Sequence, residues 1–239
     1  MVERNGHWTV QMDDLRENYS AVILAYGAAS DRELGLEGEK TIMGVLPSRR
    51  MVEYYNGSLD KDLTYEEFNP ERDEHIGIIG NGNIACDISR MFLKDPAEFH
   101  NSDTPEHVMN SLRKSKVNTI QMIGRRGITH AAFSIKEIRE VANLANLKTY
   151  MVRSEVEDSI TEATQTELLD RAIGRRTKFL NEAFEMIESG EHYQEIMSRT
   201  NEKKLILRFL RSPTELIATD GRISGVTLQK QMLQGEPNK

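Results

Sequence analysis

The stretch from residue 75 to residue 93 constrains the fold most. His75-Ile76-Gly77-Ile78-Ile79 is a short apolar run of strand character. Gly80-Asn81-Gly82-Asn83-Ile84-Ala85 follows at once, and then Ile84, Ile88, Met91 and Phe92 recur at helical spacing until Asp95-Pro96 stops them. A G-x-G-x-x-A segment that leaves a strand and opens a helix has a physical reading. Gly80 allows the tight turn, Gly82 lacks the Cβ that would keep a pyrophosphate away from the backbone, and Ala85 lets the helix lie close to the sheet. The N–H groups at the helix start then face the phosphates with the positive end of the helix dipole. A strand–helix turn that merely needs glycine is the competing reading, and the strand–helix context favours the cofactor.

The next strand, residues 117–123, ends in Gly124-Arg125-Arg126-Gly127. A carboxylate at this topological position holds the ribose 2′-hydroxyl of NAD. Two guanidiniums there suit the 2′-phosphate of NADP instead, through charge-assisted hydrogen bonds. The reading is therefore NADP. Ser134 and Glu137 stand three residues apart at the start of a further helix, which is the spacing of a capping box.

Alternation of strand and helix predicts a parallel, doubly wound sheet, an α/β fold with a Rossmann-like, three-layer NADP-binding domain. Residues 34–74 hold a turn near Gly35–Gly44 and a helix over residues 48–55, broken at Asn56-Gly57. A polar insert after Pro96 leads into a second helix ending at Arg113. Residues 155–203 read as a charged helical excursion. Residues 205–210 and 223–228 read as two strands joined through Asp220-Gly221. Before all this, Trp8-Thr9-Val10 is strand-like, residues 13–19 form a helical turn, and Ala21-Val22-Ile23-Leu24-Ala25 reads as a buried strand feeding a turn at Tyr26-Gly27-Ala28. The expected domains are 1–33, the remnant of another unit, and 34–235, the nucleotide domain, with its core in 75–150.

Charge and cysteine usage remove several functions. The net charge is −7, which argues against generic nucleic-acid binding. One cysteine, Cys86, rules out an internal disulfide and a cysteine-held iron–sulfur or zinc site, and is expected to be a buried small apolar residue. The six histidines show no pairing on a helix face, so no metal site is expected. No apolar run is long enough to span a bilayer. The first residues carry no secretory or transit signal.

Taken together, Gly80 to Asp87, Val117 to Gly127 ending in GRRG, Ala132-Phe133-Ser134-Ile135-Lys136-Glu137-Ile138-Arg139-Glu140, Val22-Ile23-Leu24-Ala25-Tyr26-Gly27-Ala28, Tyr54-Tyr55-Asn56-Gly57, Leu207-Arg208-Phe209-Leu210-Arg211-Ser212-Pro213 and Asp220-Gly221-Arg222 resemble the adrenodoxin reductase family of mitochondrial ferredoxin–NADP reductases. The resemblance covers nearly the whole chain and is weakest in 155–203. It implies a flavoprotein in which NADPH reduces FAD and FAD passes single electrons to an acidic [2Fe–2S] ferredoxin, with no protein acid or base in catalysis. It implies that Asn81, Gly82, Asn83 and Ile84 line the pyrophosphate, with Gly80 and Ala85 shaping the cofactor-binding turn, that Arg125 and Arg126 hold the 2′-phosphate, and that Glu137 joins the NADP site. It implies that the ferredoxin docks on Arg139 and on Arg175, Arg176 and Lys178. Mitochondrial location, with peripheral membrane association only, comes from the same resemblance. No FAD fingerprint of the G-x-G-x-x-G type precedes residue 80, and the family's closing Trp- and Gly-containing segment is not matched. The expectation is a part of the NADP-binding half, with residues 1–33 left from the flavin half and no turnover by itself. A non-catalytic module that binds NADP or a ferredoxin is the alternative. Another two-nucleotide flavoprotein, such as a glutamate synthase small subunit, is the third reading, disfavoured by the Phe-Ser-Ile-Lys-Glu stretch.

Overall fold

The computed structural model describes residues 2–4, 7–27, 30–58 and 66–234. The chain divides into two units, Met1–Arg32 and Glu33–Lys239.

In the first unit, strands β1 (Val2–Arg4) and β2 (His7–Thr9) form an antiparallel pair. Helix α1 (Met12–Asn18) follows, with Asp13 and Asp14 in its first turn, where they favour the dipole. The apolar run at 21–25 is not a strand. It has no regular structure, Ile23 is 88% exposed, and Tyr26 is 85% exposed. A buried strand needs partners along its edges, and none of the described residues supplies them. The expected turn continues beyond Gly27 into Ala28, which lies outside the described residues.

The second unit is built on a five-stranded parallel sheet in the order β3–β4–β7–β5–β6. Helix α2 (Ser48–Tyr55) precedes it. Strand β3 (His75–Ile79), helix α3 (Asn83–Leu93), helix α4 (Glu106–Arg113), strand β4 (Thr119–Ile123), helix α5 (Ile135–Ala142) and strand β5 (Leu147–Val152) come next. Short helices α6 (Arg153–Glu157) and α7 (Glu162–Glu167) lead to α8 (Arg171–Ala183), strand β6 (Glu185–Ile187), α9 (Glu191–Ser198) and strand β7 (Lys203–Arg208). The stretch 155–203 is therefore part of the domain, because it supplies an edge strand and two covering helices. An antiparallel hairpin, β8 (Arg211–Thr219) and β9 (Arg222–Lys230), completes the unit.

Strand register explains the layers. Ile78, Met122, Leu207 and Met151 lie side by side in register, so their side chains share one face. That face packs with Ile88, Phe92, Val108, Ile138 and Leu180 of the helices. On the other face Tyr150, Val152, Ile187 and Ile206 pack with Ile196 of α9. Helices thus cover both faces, as expected of a three-layer fold. Ile84 is an exception to the expected apolar face of α3, being about half exposed at the helix start. Cys86 is buried within the core, as expected.

The hairpin also corrects an expectation. Asp220 and Gly221 both take positive φ, 52° and 75°, the requirement of a type I′ turn. They join β8 to β9, whereas residues 203–208 belong to the parallel sheet. The break between β7 and β8 falls at Leu210, held at φ 51°. The N–H of Met43 donates to Gly221 O and the N–H of Ile223 to Met43 O, so the approach to α2 is tied to the hairpin.

Candidate nucleotide site

The C-terminal ends of β3, β4 and β7 converge on one place. Gly80 leaves β3 at φ 129°, which an L side chain rarely adopts. Its N–H donates to Ile123 O at 2.8 Å, so the turn begins pinned to β4. Asn81 is buried. Its side-chain Nδ2 donates to Arg208 O at 3.1 Å, at the end of β7. The Asn81 carbonyl accepts the N–H groups of Ala132 (2.8 Å) and Phe133 (3.0 Å), and Asn83 Oδ1 accepts the N–H of Ser134 at 2.7 Å. The glycine turn and the segment leading into α5 are therefore zipped together.

The start of α3 stays bare. Gly82 is its N-cap and offers no side-chain cap, and the N–H groups of Asn83 and Ile84 find no acceptor among the described residues. A Cβ built on Gly82 would meet nothing within 4 Å. Open space above unsatisfied donors at a helix N-terminus is what a phosphate group requires, so these residues fit a pyrophosphate.

The GRRG segment has a fixed backbone and free side chains. The N–H of Gly124 donates to Arg208 O at 2.9 Å, the N–H of Arg211 to Gly124 O at 2.9 Å, and the N–H of Leu210 to Arg126 O at 3.1 Å. Both glycines serve close packing. A Cβ on Gly124 would lie 2.4 Å from Asn81 Nδ2, and one on Gly127 would lie 2.9 Å from Ser159 Cβ. Arg125 and Arg126 themselves are exposed, and neither side chain has an ion-pair partner among the described residues. Two unpaired guanidiniums on a rigid loop, beside an anion cradle, can grip a second phosphate without first breaking other bonds.

The capping box at Ser134 is only half made. Ser134 Oγ accepts the Glu137 N–H at 3.2 Å, but the N–H of Ser134 is taken by Asn83. The half-buried Glu137 carboxylate has no hydrogen-bond partner among the described residues. It is left for something else.

Beneath the loop sits a buried charge cluster that sequence reading missed. Glu155 is 1% exposed and accepts from Arg208 Nη2 (2.6 Å), Arg211 Nε (2.9 Å) and the N–H of Phe209 (2.9 Å). Burial works to lower the Arg208 pKa, but the Glu155 carboxylate and Tyr193 hold it above the usual arginine value. Arg208 also lies over the Tyr193 ring at 4.9 Å. This cluster fixes the very carbonyl of Arg208 that receives Asn81 and Gly124. The single charged residue within the apolar run Leu205–Leu210, Arg208, was its signal.

The basic residues further along do not act alike. Arg139 is exposed and stacks over Phe179 of α8 at 5.0 Å. Arg175 is exposed, and Lys178 is exposed beside Glu182 at 3.8 Å. Arg176 turns inward and donates from Nη2 to Thr129 O at 2.7 Å. Desolvation lowers its pKa. Its Nη2 is taken up by that carbonyl, whereas the Arg175 side chain beside it is exposed.

No cluster of three His, Cys, Asp or Glu side chains suited to a metal occurs among the described residues. Among them, too, no helix is long and apolar enough to cross a membrane.

No family model matches the chain. Individual relatives do. The mitochondrial NADPH:adrenodoxin oxidoreductase of Arabidopsis thaliana is 32% identical over 231 residues, 94% of this chain and 45% of that protein. That of Salvelinus fontinalis is 34% identical over 231 residues, 95% of this chain and 44% of that protein. Among solved structures, FprA from Mycobacterium tuberculosis in complex with NADPH aligns with a TM-score of 0.67 at 27% identity, covering 94% of this chain and 51% of that one. A mutant of FprA aligns with a TM-score of 0.73 at 28% identity, covering 96% and 47%. The chain spans just under half the length of the curated relatives it matches. Over that span, with its parallel sheet, glycine turn and arginine loop, it is similar to the NADPH:adrenodoxin oxidoreductases and to FprA.

Proposed function

We propose that this chain is the NADP-binding part of an FAD-dependent oxidoreductase that moves electrons from NADPH, through FAD, to an acidic [2Fe–2S] ferredoxin in the mitochondrion. The observation that carries the reading is the pairing of a bare helix start at Asn83–Ile84 with two exposed, unpaired arginines, Arg125 and Arg126, on a pinned loop. The relatives named as mitochondrial NADPH:adrenodoxin oxidoreductases, and the NADPH complex of FprA, support it.

The nucleotide supplies the hydride, and the chain's residues supply placement. Gly80 and Gly82 open the backbone to the pyrophosphate. The N–H groups of Asn83 and Ile84 hold it, and Asn81 and Ala85 fix the turn against β7 and the core. Arg125 and Arg126 hold the 2′-phosphate. Glu137, free of its capping role, faces the same region through Ser134 and Asn83. No side chain need act as acid or base. Arg139, Arg175 and Lys178 form the basic surface for the ferredoxin, without Arg176. Residues 1–33 are read as part of the flavin-binding domain.

Calorimetric titration of the purified chain with NADP⁺ and NAD⁺ tests the reading. NADP⁺ should bind at least about tenfold tighter, about 1.4 kcal/mol. The Arg125→Ala/Arg126→Ala variant should lose that preference. Binding of neither nucleotide, or a preference that survives the double substitution, refutes it.

A further inference from the structure

The turn Ile128–His130 lies between the two segments assigned to the nucleotide, the arginine pair and Ser134–Glu137. It is gripped from one side. Arg176 of α8 donates to its Thr129 carbonyl at 2.7 Å. The Glu167 carboxylate, at the end of α7, accepts from Thr129 Oγ1 at 3.3 Å and lies 3.0 Å from His130 Nε2. Thr129 Oγ1 and His130 Nδ1 are 3.0 Å apart. Both Thr129 and Glu167 are buried. The same α8 holds the far wall, since Arg139 of α5 stacks on its Phe179.

We propose that Glu167 and Arg176 are positioning residues for 2′-phosphate recognition, clamping the Ile128–His130 turn so that Arg125 and Arg126 keep one geometry. The inference rests on the NADP reading above. It explains an arrangement that stability does not. Arg176 is half-buried with its Nε buried and unpaired, a costly way to satisfy one carbonyl. An apolar side chain of similar length would fill the same space without stranding a charge. A loop that must present two guanidiniums to one phosphate gains from being held on a rigid helix, because small misplacements of a bidentate group are expensive.

The decisive variants are Arg176→Met and Glu167→Gln, each titrated with NADP⁺ and NAD⁺ and melted in parallel with the unaltered chain. For Arg176→Met the NADP⁺ dissociation constant should rise about tenfold while that for NAD⁺ stays within about twofold. Its melting temperature should hold or rise, which a merely structural arginine would not allow. Glu167→Gln keeps the shape and should shift NADP⁺ in the same direction by a smaller factor. The proposal is overturned if both variants leave NADP⁺ binding unchanged, or if NADP⁺ and NAD⁺ weaken together in step with a lost melting temperature. If the unaltered chain binds NAD⁺ and NADP⁺ equally, the NADP reading itself has failed, and this inference falls with it.

Discussion

Two glycines at the site should respond to the same substitution in opposite ways. Consider Gly124→Ala. The new Cβ would sit 2.4 Å from Asn81 Nδ2 and 2.9 Å from Asn81 Cγ. Asn81 cannot step aside freely, because its Nδ2 is bonded to Arg208 O and its carbonyl to Ala132 and Phe133. Expelling the amide loses one buried hydrogen bond, about 1 kcal/mol. Overpacking a well-filled site adds about 1–3 kcal/mol. The expected loss is about 2–4 kcal/mol, and a domain of this size loses roughly 2–4 °C of melting temperature per kcal/mol. Gly82→Ala differs. Its Cβ meets nothing within 4 Å, and Gly82 sits at φ −114° and ψ 178°, which alanine adopts readily. Its melting temperature should stay within about 1–2 °C, while nucleotide affinity falls at least about tenfold because the methyl occupies the space a pyrophosphate needs. Calorimetric melting and NADP⁺ titration of the two variants give the comparison. Equal melting losses, or a Gly82→Ala chain that binds NADP⁺ normally, would refute the reasoning.

Further outcomes follow from other parts of the fold. Glu155→Ala strands Arg208 and Arg211 in a mostly buried site and should cost about 3–5 kcal/mol in urea unfolding. Burial pushes the Asp73 carboxyl up, but hydrogen bonds from Arg72 and the Asn69 N–H, with the Arg222 charge, hold it below its usual 3.8. A carboxyl with a depressed folded pKa lends stability above that value and loses it as pH falls further. Asp73→Asn should therefore be less stable at neutral pH and show a shallower decline below pH 3.8, read by chemical unfolding at several pH values. Burial pushes the Cys86 thiol up to about 12, so a thiol reagent at pH 8 should leave the native chain unlabelled and label it rapidly in denaturant.

Much of the architecture was legible because local signals were sharp. Asn56-Gly57 marks the end of α2, and the glycine turn marks the end of β3, so both elements fall where the residue pattern placed them. Strand β5 carried no such punctuation. Its end is buried on both faces, so the sequence shows no alternation there, and the three-residue β6 is too short to show any. The bend at Leu210 was hidden because a leucine at positive φ is rare and sends no turn signal, which is why β7 and the hairpin were merged. The run at 21–25 misled for a different reason. Apolarity announces a wish for burial and says nothing of whether neighbours are present. At the site, residue types were readable while directions were not. Arg175 and Arg176 are consecutive on α8, about 100° apart around the helix, so one faces solvent and the other faces Thr129. Sequence gives their charge equally, and only packing separates them. Glu155 and Glu167 stayed hidden because buried carboxylates look like surface ones until their partners, distant in sequence, are brought to them.

The central claim is that Arg125 and Arg126 read a 2′-phosphate beside the glycine turn. The most direct measurement is the affinity of the purified chain for 2′,5′-ADP against 5′-AMP, which differ by that phosphate alone, at low and at high salt. The account predicts at least about tenfold tighter binding of 2′,5′-ADP at low salt. The gap should narrow as salt rises, because both arginines are solvent-exposed. Equal affinities for the two nucleotides, or a gap indifferent to salt, would contradict it.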